Sequence, residues 1–281
     1  MANAVNYYAM TSGILFAMAC PMLEDELVYM LKEDSERKNV IVLETPYNDS
    51  IRRKLDEKDI GYALMSEDAF MSGKSGLDRS EYNVVIRMKD LGLHIEPTNL
   101  KANLENDLRD LEGKVDAVAL YYGMCGNFGW DPSKWAEENL DYPVRIFKDT
   151  KGRVIDDCVG VAVGGIDGYR ELQRRNRGSM LFTPEIATNW TDFMSASDTA
   201  YYGEGRSLEQ SKQDLKDMME QCGYHAVVQI DTGYEDDRTD FDKCTRDFAD
   251  YNGFEIRQCD PDLIDRGPAI RLYTEAKALL G

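Results

Sequence analysis

Short apolar runs alternate with amphipathic segments along this chain, and that alternation restricts the fold more than any other feature of the sequence. The runs that predict strands are Ile14–Ala19, Asn39–Leu43, Val84–Met88, Val115–Tyr122 and His225–Ile230. Segments with apolar residues at helical spacing lie between them, for example 24–36, 51–65 and 100–111. Strands that alternate with helices predict an α/β fold, an open, mostly parallel sheet with helices on both faces.

The 281 residues are enough for one large domain or for two of moderate size. The segments VDAVALYYG and YHAVVQIDTG are similar, which raises the alternative of two related halves. We predict an α/β domain over 1–200 and a C-terminal α/β portion over 201–281, with the boundary in the loop Ser195–Gly205. The alternative that 201–281 is part of the same domain stays open.

The charge of the chain excludes several classes of partner. Its 33 basic and 52 acidic residues give a net charge of -19, which argues against nucleic acid and against anionic membrane surfaces. No apolar run reaches the roughly 18 residues of a membrane span. The first residues, MANAVNYYAMTSG, lack the basic start and long apolar stretch of a secretory signal. We therefore expect a cytoplasmic protein whose six cysteines stay reduced.

Three of these cysteines predict a metal–thiolate site. Cys20 directly follows the first predicted strand, Cys125 lies in a glycine-bearing turn after another strand, and Cys158 precedes a glycine-rich loop. Strand ends gather at one edge of a parallel sheet, and thiolates suit zinc or iron–sulfur clusters. Gly123 and Gly126 flank Cys125, and we interpret them as positions where a bulky inorganic centre can approach the backbone.

The alternative is that each cysteine is a small buried hydrophobic residue. We favour that interpretation, or a surface position, for Cys222, Cys244 and Cys259. His94 is the candidate fourth ligand: with three thiolates it would complete a tetrahedral zinc site, whereas an iron–sulfur cluster would leave one iron for His94, substrate or water. His225 opens a strand and is interpreted as a structural residue.

Neighbouring motifs carry weaker signals. Asp156 and Asp157 beside Cys158 are interpreted as a solvated turn. Gly160, Gly164 and Gly165 match neither a dinucleotide-binding fingerprint nor a P-loop, so a tight loop is the favoured interpretation. The sequence contains no CxxC pair, no HExxH and no kinase motif.

Several segments resemble an uncharacterised domain family of methanogens and other anaerobes, whose members are often encoded near corrinoid-dependent methyltransferases. The resemblance rests on ACPMLEDEL, GLHIEP, LYYGMCGN with its YGxCGN element, DDCVGVAVGG, FTPEIATNW and AVVQIDTG. Residues 72–90 depart from the family pattern as an extra segment before His94. The resemblance implies that the three cysteines and His94 act together, in anaerobic one-carbon metabolism.

Three hypotheses follow. The first is an iron–sulfur protein that supports corrinoid-dependent methyl transfer by electron delivery, with a corrinoid protein or a methyltransferase subunit as its partner. The second is an enzyme whose zinc, held by His94 and cysteines, activates a thiol for methyl transfer. The third is a non-catalytic binding subunit without metal. Whether the chain is an enzyme and whether it forms a homo-oligomer stay open.

Overall fold

The structure, a computed structural model, describes residues 10–192 and 205–281, and of His94 and Ile95 it describes only the backbone. The predicted fold class is confirmed: two parallel sheets are surrounded by helices. The strands are β1 Gly13–Ala19, β2 Asn39–Glu44, β3 Ala63–Ser66, β4 Tyr82–Met88, β5 Ala117–Tyr121, β6 Val144–Ile146, β7 Ser179–Phe182, β8 Ala226–Gln229 and β9 Glu255–Gln258.

Helices fill most of the intervals between the strands. They are α1 Glu24–Glu33, α2 Asp49–Glu57, α3 Glu67–Met71, α4 Pro97–Asp110, α5 Pro132–Asn139, α6 Cys158–Ala162, α7 Ile166–Arg175, α8 at 184–192, α9 Leu208–Gln221, α10 Thr239–Asn252 and α11 Gly267–Lys277. Within the described ranges, none of these helices is long and apolar enough to cross a membrane.

The first sheet has the order β3-β2-β4-β1-β5-β6, and all its pairs are parallel. The seven residues of β1 are all buried, as expected for a central strand covered on both faces. Alternate residues of β1 enter two different cores. One core lies beneath α1, α2 and α11, and the other lies beneath α3, α4 and α5.

The connections of this sheet create a crevice at the carboxyl end of β1. The chain leaves β1 towards α1 on one face, whereas it leaves the neighbouring strands β4 and β5 towards α4 and α5 on the opposite face. Loops that diverge in this way open a gap between adjacent strands, and ligands of open parallel sheets bind there.

The second sheet has the order β7-β8-β9 and is also parallel. It includes β7, so residues before the predicted boundary near 200 pair with strands after it. The boundary itself falls mostly within 193–204, outside the described residues, and it stays a prediction. After the second sheet the chain returns to the first, where α11 packs against α1, β5 and β6.

One predicted element is wrong. The segment 51–65 is not a single helix, because α2 ends at Glu57 and β3 begins at Ala63. The break follows from the backbone: Asp59 has a φ of 53°, which an α-helix does not accommodate, and Gly61 follows it. The apolar residues of this segment therefore belong to two elements.

Candidate functional site

Cys20 lies at the carboxyl end of β1, on the side of the sheet covered by α4. Like Phe16 and Met18, the alternate residues of β1 before it, Cys20 packs into the core beneath α4. Its backbone N–H donates to the carbonyl oxygen of Tyr121 at 3.1 Å, which ties the end of β1 to β5. The side chain is buried, and burial raises the pKa of the Cys20 thiol to about 12.

Cys125 lies in the turn after β5 and has an unusual backbone. Its φ is 45°, and among the described non-glycine residues only Asp59 also has a positive φ. The left-handed conformation costs an ordinary side chain about 1–2 kcal/mol. Unfavourable backbone of this kind often accompanies a functional residue, because the surrounding structure must hold it in position. The Cys125 N–H donates to the Asp156 carbonyl at 2.7 Å, which anchors the turn.

Gly123 is needed where the Cys125 turn meets the segment before Cys158. A Cβ at position 123 would lie 2.2 Å from the carbonyl oxygen of Asp156. The space beside Gly123 is thus filled by the protein's own backbone. Gly126 has a φ of 88°, and a Cβ there would lie 3.1 Å from the Pro97 ring. Both glycines allow chain segments to pack closely around Cys125.

Cys158 is the first residue of the short helix α6. Asp157 caps this helix by accepting a hydrogen bond from the Gly160 N–H at 2.6 Å. The Cys158 side chain is half-buried and packs against both cores of the first sheet and against a core of the second. Burial, and then the neighbouring Asp157, raise the pKa of its thiol well above the ordinary value.

The three thiols are neighbours but not mutual contacts. Cys20 contributes to the raised pKa of both Cys125 and Cys158, after burial as the main cause, and Cys125 contributes to that of Cys158. The three sulfurs nevertheless do not all lie within 4.8 Å of one another. Tetrahedral zinc with Zn–S bonds of about 2.3 Å needs thiolates about 3.8 Å apart. The sulfur spacing therefore does not match a closed zinc site.

Tyr122 brings an unpaired hydroxyl to the same region. Its side chain is 1% exposed, yet the hydroxyl has no hydrogen-bond partner. Burial, followed by Cys20 and Cys125, raises its pKa well above the ordinary value. Buried hydroxyls are nearly always paired, and a hydrogen-bond acceptor bound beside Tyr122 would satisfy this one. Sequence analysis treated Tyr122 only as the end of a strand.

The segment that carries His94 lies next to the Cys125 turn. His94 belongs to a 3-10 turn, Leu91–Ile95, and its side chain lies outside the described part of the structure. Three residues later, the carbonyl of Pro97 accepts a hydrogen bond from the Asn127 side chain at 2.7 Å. This bond joins the loops that follow β4 and β5. Whether His94 is a ligand stays a prediction.

The remaining cysteines lie elsewhere. Cys222 is exposed at the end of α9, Cys244 packs from α10 into a core of the second sheet, and Cys259 is buried in another. His225 is exposed at the start of β8 and its ring contacts the carbonyl of Gly223 at 3.1 Å. None of these four residues is among the main causes of the raised pKa values of the thiols at the carboxyl end of β1.

Sequence analysis missed a cluster of buried charges on the opposite face of the first sheet. Glu24, Asp25 and Glu26 form the first turn of α1, and all three are buried. Burial raises the pKa of Glu26 to about 8. Burial alone would lower the pKa of Lys54, but Glu185, Asp25 and other carboxylates raise it well above its ordinary value. The sequence contains one indication that Lys54 is buried: it lies on the same face of α2 as the apolar residues Ile51 and Leu55.

The fold and this site define the class of protein: a parallel α/β protein with three thiols around the crevice at the end of its central strand. Residues 88–265 match the model of the family described as "Protein of unknown function (DUF1638)". The match covers more than half of the chain, and the protein belongs to this family. It includes Cys125 and Cys158 but begins after Cys20. No curated protein matches the sequence.

Proposed function

We propose that the chain is an iron–sulfur protein in which Cys20, Cys125 and Cys158 hold the cluster and His94 lies at its open side. The observation that supports the proposal is that three thiols from three separate segments lie near enough for Cys20 to raise the pKa of both Cys125 and Cys158. Packing alone would not explain the left-handed backbone at Cys125, where glycine would be more stable.

The chemistry of the three thiols fits a cationic centre. Burial raises all three pKa values, so the metal-free protein holds neutral thiols at pH 7. A positively charged centre stabilises the thiolate forms and replaces their protons. The three sulfurs are not all within 4.8 Å of one another, which is wider than a tetrahedral zinc site requires. The Tyr122 hydroxyl would donate a hydrogen bond to a cluster sulfide or to a cysteine sulfur, and such bonds raise reduction potentials.

The biological role we propose is electron delivery for corrinoid-dependent methyl transfer. A reduced cluster would pass one electron, received from a low-potential electron donor, to the cobalt of a corrinoid partner, whose methyl-accepting form is strongly reduced. The proposal of a corrinoid partner rests on the resemblance to a family whose members are often encoded near corrinoid-dependent methyltransferases. The turn that carries Cys125 also reaches the surface, because the side chain of Phe128 is 82% exposed. That exposed ring offers a partner an apolar contact next to the centre.

The test is metal and acid-labile sulfide analysis of the protein purified without oxygen, together with its visible absorption spectrum. We expect a broad visible band, with iron and sulfide in equal amounts. Cys125→Ser should lower the iron content to less than about a tenth of the wild-type value. Loss of a hydrogen bond to a metal ligand weakens metal binding about 10–100-fold, and loss of the ligand itself should weaken it at least as much. Cys244→Ser is the matched control, and its iron content should stay unchanged.

The other outcomes separate the alternatives. Colourless protein that contains one zinc per chain, and that loses this zinc in Cys125→Ser, would support the zinc–thiolate site instead of the cluster. Protein without metal under these conditions would favour a binding subunit with packed cysteines. Equal losses of iron in Cys125→Ser and Cys244→Ser would contradict the assignment of the ligands.

A further inference from the structure

The last strand, β9, forms an open edge of the second sheet. Among the described residues it pairs with β8 alone, and its residues are exposed apart from the half-buried Arg257. Such an edge offers unpaired backbone N–H and C=O groups to another strand, and lysine, proline or a bulge commonly blocks it. The sequence of β9, EIRQ, contains neither lysine nor proline, and its register with β8 is regular. This edge is therefore open to a further strand.

The backbone of β9 shows which groups are available for pairing. The N–H of Glu255 donates to the carbonyl oxygen of His225, the residue before β8, at 3.1 Å. Residues of a parallel strand alternate in the direction of their backbone groups, so Arg257 also faces β8. The N–H groups of Ile256 and Gln258 consequently point away from the sheet. The side chain of Ile256 is 41% exposed at the same place.

The charges of β9 are arranged symmetrically about Ile256. Glu255 and Arg257 lie on either side of it, their side chains share one face of the strand, and they form an ion pair. A two-fold axis at Ile256 would place Glu255 of one copy opposite Arg257 of a second, antiparallel copy, and the reverse. Opposite charges directly across an antiparallel pair are favourable. The strand is therefore complementary in charge to itself.

We propose that β9 pairs with β9 of a second copy of the chain, antiparallel and about a two-fold axis at Ile256, to form a homodimer. The two Ile256 residues exchange N–H···O=C bonds across the axis, as residues directly opposite each other do in an antiparallel ladder. The N–H of each Gln258 donates to the carbonyl oxygen of Phe254 in the other copy. This contact uses the same patch on both chains and joins their two three-stranded sheets into one.

A second copy fits this edge better than another kind of partner. A different protein would have to provide an arginine and a glutamate two residues apart in the matching register, whereas a second copy provides them by symmetry. The chain has a net charge of -19, and two copies repel each other in general. The charges within β9 cancel, however, so the contact itself adds no repulsion. The exposed strand β3 offers no comparable signal, because Ala63–Ser66 contains no charged residue.

Sedimentation equilibrium of the full-length protein measures the association. At about 0.15 M salt the screening length is about 8 Å, which suppresses the general repulsion between the chains. We expect a monomer–dimer equilibrium with a dissociation constant below about 1 mM, weak because one short strand buries little surface.

Two variants at one position test the backbone pairing. Ile256→Pro should be monomeric, because proline lacks the N–H that bonds to the second copy. It should keep the fold of the monomer, since an edge strand tolerates proline where the N–H faces solvent. Ile256→Val is the matched control: it keeps the N–H and should form the dimer as the wild type does.

Charge variants test the register. Arg257→Glu places like charges opposite each other and should weaken the dimer at least about fivefold. Glu255→Arg combined with Arg257→Glu reverses the pattern and should bring the dissociation constant back to within about twofold of the wild-type value. A mixture of the two single variants, Arg257→Glu and Glu255→Arg, should form the heterodimer in preference to either homodimer.

Each result decides for or against the proposal. A wild-type dissociation constant above about 1 mM overturns it. A dimer that persists in Ile256→Pro, or that Arg257→Glu leaves unchanged, also overturns it, since association would then use another surface. Should Ile256→Pro fail to fold by circular dichroism, the charge variants decide. Cys125→Ser should form the dimer as the wild type does, which separates this contact from the thiols.

Discussion

At the scale of single residues, the candidate metal centre depends on backbone that only a few side chains tolerate. Gly123 allows the Cys125 turn to lie against Asp156, and Cys125 itself has a left-handed conformation. A cysteine at a position that favours glycine lowers the stability of the metal-free protein. A cysteine at such a position is expected where the residue is needed for its sulfur.

Replacement of Cys125 separates the backbone effect from the loss of sulfur. Cys125→Gly and Cys125→Ala both remove the thiol, but only glycine adopts a φ of 45° without strain. We expect the free energy of unfolding of metal-free Cys125→Gly to exceed that of Cys125→Ala by about 1 kcal/mol. Urea denaturation of both variants measures the difference. Equal stabilities would mean that residue 125 is not held in the left-handed region.

At the scale of elements, the C-terminal helix α11 completes the first sheet. Its residues Leu272 and Tyr273 enter the core beneath α1. Asp34, which ends α1, accepts hydrogen bonds from the Lys277 ammonium and the Tyr273 hydroxyl, each at 2.7 Å. Burial tends to raise the pKa of Asp34, but these two bonds outweigh it and the pKa lies below its ordinary value of 3.8.

Asp34→Asn should therefore lower the free energy of unfolding at pH 7 by about 1.5–3 kcal/mol, the value of a hydrogen bond to a charged group. A lowered carboxyl pKa stabilises the fold above the unfolded-state value and loses that effect as the pH falls through the folded-state value. The difference from wild type should thus shrink as the pH drops below 3.8. Urea titrations at several pH values check this.

Asp49→Asn is the control for this pH dependence, because the side chain of Asp49 is 96% exposed and its contact with Arg52 is long, 3.9 Å. We expect its stability to stay within about 0.5 kcal/mol of wild type at every pH. If Asp34→Asn lowered the free energy of unfolding by the same amount in acid as at pH 7, an electrostatic origin of the destabilisation would be contradicted.

At the scale of the whole molecule, two sheets with separate cores are joined by buried groups. Lys54 of the first sheet's layer contacts Glu185 and Glu235 next to the second sheet. Cys158 packs against the cores of both sheets. After β9 the chain returns to the first sheet as α11, so the first sheet's layer is formed by two separate pieces of the chain and the second lies between them.

These connections predict that both sheets unfold in one transition. Trp130 reports on the first sheet, and Trp190 reports on the second because it packs against Phe248 with ring centroids 5.2 Å apart. Single-tryptophan variants made by Trp→Phe replacement should give coincident urea midpoints. Separate midpoints would support the division into two domains that the sequence suggested near residue 200.

Much of this arrangement could be read from the sequence. Apolar runs such as Ile14–Ala19 identify central strands, because a strand buried on both faces needs continuous apolar residues. Cys20 and Cys125 follow such runs directly, and carboxyl ends of parallel strands share one edge of the sheet. The candidate thiol site therefore followed from local patterns and one general rule of topology.

The strand–helix alternation, the parallel sheet and the edge at which Cys20 and Cys125 lie could be predicted from the sequence, because they depend on local periodicity. Tertiary structure alone decided which residues contact each other across long separations. The packing of Gly123 against Asp156, the unpaired hydroxyl of Tyr122 and the burial of Lys54 among carboxylates are examples. The physical reason is that burial of a charged or polar group depends on partners distant in the chain, which no local pattern contains.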